Sequence, residues 1–76
     1  MIKLENIHQE MNDKQVQQAA DLLYQEWMYK ELDGLERDAS ELRMWTTLMF
    51  KRIGVDPSED QLLAAETLFQ SKVRDD

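Results

Sequence analysis

The chain has no cysteine, so no disulfide can brace it, and the composition fits a reducing compartment. With a single histidine there is no Cys/His cluster for zinc. The same two shortages leave no thiol nucleophile and no second histidine for a relay, which makes catalysis an unfavoured reading. Two glycines and one proline are too few for a glycine-rich phosphate cradle. Bases are scarce as well: nine against sixteen acids give a formal charge of −7. Nucleic-acid binders usually carry the opposite balance, because phosphate neutralisation supplies most of their affinity, and anionic membrane surfaces are disfavoured for the same reason. No apolar run approaches the ~20 residues of a membrane span. "MIKLENIHQE" has one lysine and no continuous apolar stretch, unlike a signal peptide. A soluble, cytoplasmic protein is expected, with no cofactor, no metal and no nucleic acid.

What is present is helix former. With 33% charged and 42% hydrophobic residues over 76 positions, the chain is expected to fold as one domain, near the size where one core barely suffices. Such a chain must pack unusually well or bury surface against a partner.

The spacing predicts an all-α fold. "NDKQ" offers Asn12 as an N-cap with Gln15 three residues inside the helix. Val16, Ala19, Ala20, Leu23 and Trp27 then recur at helical spacing, with a second apolar set of Tyr24, Met28 and Leu32. "LDG" reads as an exit with Gly34 in the left-handed position. The next helix can start at Asp33 or at Asp38, each with a glutamate three residues on. Its stripe is Leu35, Ala39, Leu42, Trp45, Met49 and Ile53, interrupted by Thr46, and Lys51 and Arg52 complement the dipole of its last turn. After Gly54, Asp56 and Pro57 give an N-cap and first residue, and Leu62, Ala65, Phe69 and Val73 form the third stripe. Helices are therefore expected over about 12–32, 35–53 and 57–73, with 1–11 an arm or a short extra helix. The result is a three-helix bundle or helical hairpin completed by dimerisation. One alternative stays open: the i+3/i+4 rhythm crosses Gly34, so 12–53 could form one long helix against a second copy.

Three motifs invite sharper readings. "RIGVDPSEDQLLAAETL" has the layout of a helix-turn-helix, with the reading helix opening at Pro57. Its first turns carry Glu59, Asp60 and Glu66 where base edges and phosphates want Arg, Lys, Asn or Gln, so two antiparallel helices with a capped turn is the better account. A DNA-binding regulator using Arg43, Lys51 and Arg52 is the alternative, as is a structural subunit of a larger assembly. "DPSED" fails as a calcium loop, since Gln61 and Thr67 fall where glycine and glutamate are required. Glu5 and His8 form one Glu-x-x-His half-motif of a di-iron site, without the second half.

The surplus apolar residues are the most informative feature. Met44 and Leu48 point away from the Leu42/Met49 stripe, and Met28 and Tyr29 lie off the first helix's core face. Methionine adapts to irregular partners, and tyrosine and arginine dominate interface anchors. The expected partner-binding set is Met28, Tyr29, Met44 and Leu48, with Glu36, Asp38 and Glu41 steering a basic partner. The expected function is a non-enzymatic regulatory, adaptor or inhibitor protein that acts by protein–protein contact and forms a homodimer.

Overall fold

A computed structural model describes the backbone of residues 3–75 and the side chains of residues 13–75. Three α-helices, α1 (Lys3–Tyr29), α2 (Ala39–Arg52) and α3 (Glu59–Asp75), carry the fold, with a 3-10 turn at Leu35–Arg37 and no strand among the described residues.

Neither glycine nor proline occurs between Lys3 and Tyr29, so nothing local stops that helix from running through. Asn12 therefore lies inside α1 and is not a cap, which corrects the expected start. The upstream residues are themselves helix formers and override the capping pattern. The Glu5 and His8 pair has its side chains outside the described residues.

The exit from α1 also differs from expectation. The left-handed residue is Glu31, at φ 52°, and the Leu32 N–H donates to Trp27 O at 3.1 Å, the closing bond of a Schellman turn. Leu32 and Trp27 both pack against the core. Gly34, at φ 89°, instead opens the 3-10 turn. Two left-handed residues this close together end the single-long-helix alternative.

Of the two candidate starts for α2, Asp38 is used: its Oδ1 accepts from the Glu41 N–H at 3.2 Å. The helix closes on Gly54, at φ 78°, where the Val55 N–H donates to Phe50 O at 2.9 Å and the Gly54 N–H to Lys51 O at 3.0 Å. A Cβ at Gly54 would meet nothing within 4 Å; backbone conformation, not space, calls for glycine there.

α3 starts two residues later than the proline suggests. The Gln61 N–H donates to Ser58 Oγ at 3.2 Å, and the Ser58 N–H donates to Gln61 Oε1 at 2.9 Å. This reciprocal pair is a capping box; it satisfies two orphan donors, and the cap is Ser58 in place of the expected Asp56.

The core draws on all three helices: Val16, Ala19, Ala20 and Leu23 from α1, Leu42, Thr46, Met49 and Phe50 from α2, and Leu62, Ala65 and Phe69 from α3, with Leu35 from the 3-10 turn. Thr46 interrupts the apolar spacing yet is fully buried. Its hydroxyl is satisfied by donating to Leu42 O at 2.6 Å. Trp27 links α1 to α3 by an edge contact with Phe69, centroids 6.1 Å apart, and stacks obliquely on Tyr24 at 5.6 Å.

Each seam between helices is also stitched by polar pairs. Arg52 of α2 reaches Glu26 of α1 at 3.0 Å, and Lys72 of α3 reaches Asp21 of α1 at 2.9 Å. Lys30, just past α1, lies 5.3 Å over the Trp45 ring of α2. Moving forward from Glu26 to Lys30 thus means moving backward from Arg52 to Trp45, so α1 and α2 are antiparallel. Gln15–Gln61 and Trp27–Phe69 advance together along α1 and α3, which run parallel. No helix of the described residues is long and apolar enough to cross a membrane.

Candidate functional site

α2 is engaged on three of its sides. Leu42, Thr46, Met49 and Phe50 face the core. On one flank Arg43 reaches α3: its Nε donates to Glu66 Oε2 at 2.7 Å and its Nη1 to Glu59 Oε2 at 2.8 Å. On the other flank Trp45 and Arg52 meet Lys30 and Glu26 of the α1 segment. These contacts tune the charges. Glu66, then Glu59, raise the Arg43 guanidinium further above its ordinary value. The Arg52 guanidinium, then the Lys30 ammonium, hold the Glu26 carboxyl below its ordinary value.

What remains of α2 is its outer stripe. Met44 is 52% exposed and Leu48 46%, one turn apart. Glu41 and Lys51, at the two ends of the same stripe, are exposed, and neither side chain forms an ion pair with any described residue. Met44, Leu48 and Glu41 were expected in the site from the sequence. Lys51 is not among the expected site residues, where it figures as a dipole partner and as a base of the DNA-binding alternative; its signal is the three-four-three spacing that joins it to the other three.

The remaining sequence-predicted residues divide. Tyr29 is 80% exposed and lies about 60° around α1 from Glu26, on the flank that borders α2. Met28 is also exposed but sits about 200° from Glu26, on the side of α1 away from α2. It does not share a face with Met44 and Leu48. Spacing along one helix fixes which residues are left over, and the neighbours decide which of them are brought together.

The acidic cluster is likewise split by the 3-10 turn. Asp38 and Glu41 border an open recess of about 290 Å³ with Asp33, Leu32, Gly34 and Leu35. Glu36 instead turns toward the end of α3: its backbone carbonyl accepts from Gln70 Nε2 at 3.1 Å, and its carboxylate lies 3.8 Å from Arg37 Nε. Asp38 is already occupied as the α2 cap. Only Asp38 and Glu41 of the three steering acids lie together.

Two exposed leucines of α3, Leu63 and Leu68, stand outside the sequence-predicted site. Leu63 follows Glu59 by four residues and precedes Glu66 by three, which puts it on the flank of α3 that carries the two partners of Arg43. Among the described residues, no group of three or more His, Cys, Asp or Glu is placed to hold a metal ion. The chain matches no family model, no curated protein sequence and no solved structure.

Proposed function

We propose that the protein is a non-enzymatic interaction module, a small acidic regulatory, adaptor or inhibitor protein that docks another protein chain on the outer face of α2. The observation that carries this reading is the pair Met44 and Leu48, half exposed on one stripe after every other side of the helix is engaged. Single exposed apolar residues are ordinary. Two in register, rimmed by charge and bordered by an exposed tyrosine, have the anchor-and-rim arrangement of a transient interface.

Electrostatics support a protein partner over nucleic acid. Two of the bases that a DNA-reading alternative would need, Arg43 and Arg52, are held by Glu59, Glu66 and Glu26. The first turn of α3 presents Glu59 and Asp60, both exposed. The overall charge of −7 disfavours a polyanion, and exposed Glu41 at the N-terminal end of this face favours a partner that offers it a basic group.

The test compares the wild-type chain with Met44→Asp and Leu48→Asp. Both variants should keep wild-type helicity and melting, since an exposed charge costs the fold little, and should lose the partner that the wild type retains from its native host. Unfolding of the variants would make these residues core. Folded variants that bind the same partner equally would move the interface elsewhere, to α3 around Leu63 first. Binding of random duplex DNA with steep salt dependence would restore the DNA-reading alternative.

A further inference from the structure

The outer stripe of α2 has a polarity as well as an apolar centre. Glu41, Met44, Leu48 and Lys51 follow at intervals of three, four and three residues, the seam spacing by which two helices pair side by side. All four are exposed. The acid stands at one end, the base at the other, and the two apolar residues between them are equidistant from the level of Thr46.

We propose that the occupant of this face is a second copy of the chain, with the two α2 helices packed antiparallel about a twofold axis at the level of Thr46. The inference rests on reading the outer face of α2 as a docking surface and names what docks there. In this register Met44 of one copy meets the partner's Leu48, and Glu41 meets the partner's Lys51, each contact occurring twice as an isologous interface requires. A parallel pairing would set acid against acid and base against base. A uniformly basic partner would satisfy Glu41 and oppose Lys51, whereas a second copy satisfies both.

Availability distinguishes these two charges from their neighbours. Arg43 and Arg52, on the same helix, are committed to α3 and α1. Glu41 and Lys51 have no ion-pair partner among the described residues, although they flank the apolar pair. The stripe spans about 15 Å, and a standard interface takes about 800 Å² from each partner. Tyr29, 80% exposed on the adjoining flank of α1, extends the apolar area toward that size.

The experiment is sedimentation equilibrium of the full chain across the micromolar range, with circular dichroism on every variant. The wild type should show a monomer–dimer equilibrium, abolished by Leu48→Asp. Glu41→Lys and Lys51→Glu, each alone, turn both cross-pairs into repulsions and should weaken dimerisation about tenfold or more. Mixed in equal amounts, these two single variants should form a heterodimer, because one copy then presents only bases and the other only acids. The double variant E41K/K51E should dimerise like the wild type. Should a charge reversal disturb folding, Glu41→Gln and Lys51→Gln remove the pairs without repulsion and should show the same order with a smaller loss.

A wild-type chain that stays monomeric throughout overturns self-docking. It leaves the proposed function standing, because the comparison of wild type with Leu48→Asp for another protein is independent of it. A dimer that survives Leu48→Asp overturns the choice of face. A wild-type dimer with no recovery on mixing the single variants overturns the antiparallel register.

Discussion

Arg43 lies between Glu59 and Glu66, two turns apart on α3, with Nη1 2.8 Å from the first carboxylate and Nε 2.7 Å from the second. One guanidinium therefore ties the start of α3 and a point about two turns further on to α2. The two acids are unequal partners: the Glu66 side chain is 14% exposed and that of Glu59 67%. A charge left unpaired costs more where water reaches it less.

Arg43→Ala should lower the melting temperature by more than Glu59→Gln does, because it strands the half-buried Glu66. The double variant Arg43→Ala/Glu66→Gln should recover part of that loss. Thermal melts at low and high salt check this, and the Glu59 contribution should be the one that salt removes.

The cap of α3 gives a sharper contrast. Ser58→Ala removes the oxygen that accepts from Gln61 N–H and should cost about 1 kcal/mol, or about 4–8 °C in Tm for a domain of this size. Asp56→Ala, two residues earlier, should be nearly neutral. Equal effects at both positions would return the cap to Asp56.

Glu31 holds a left-handed conformation at φ 52°, which a residue with a Cβ adopts at a cost of about 1 kcal/mol. Glu31→Gly should therefore raise the melting temperature, unusually for a substitution to glycine. Gly54→Ala should lower it, because the same conformation at φ 78° would then carry a Cβ. Differential scanning calorimetry of the two variants gives opposite signs.

Acid sensitivity should trace in part to Glu26. Its carboxyl is held below the ordinary value of 4.5 by Arg52 first and Lys30 next. A carboxyl with a depressed value in the folded state stabilises the fold above its unfolded value, and that contribution is lost as pH falls through the folded value. Glu26→Gln should melt below the wild type at neutral pH, and the gap should narrow as pH drops below 4.5. A gap that stays constant down the acid range would show that Glu26 contributes nothing through its charge.

How much of this was readable from residues alone depends on what each feature depends on. The stripes Val16–Ala20–Leu23 and Leu62–Ala65–Phe69 are periodic, and periodicity is a property of one helix; both are buried as their spacing implies. Gly54 was legible because a glycine after a basic last turn has few other uses. Phe50 and Thr46 were not, although both are fully buried. They widen the core face of α2 because that helix is wedged between two others, and only the third helix supplies that information. The Asn12 cap failed because a capping pattern says a helix can start there and not that it must. For the candidate site, exposure of Met44 and Leu48 followed from their offset to the stripe, while the separation of Met28 from them depends on the side of α1 that α2 occupies.

Ala20 and Ala65 are both fully buried, and α1 shares more of its contact with α3 than with the helix that follows it in the chain. α3 thus completes the core against α1. As the chain emerges during synthesis, α1 and α2 can form and pair while the side of α1 carrying Trp27 waits, uncovered, for residues more than forty positions downstream. That surface is withdrawn from water only when α3, which begins past the capped turn at Ser58, docks on it. A substitution that slows the turn would lengthen the interval in which the unfinished hairpin is open to proteases and to other chains, even if the completed fold were barely weakened.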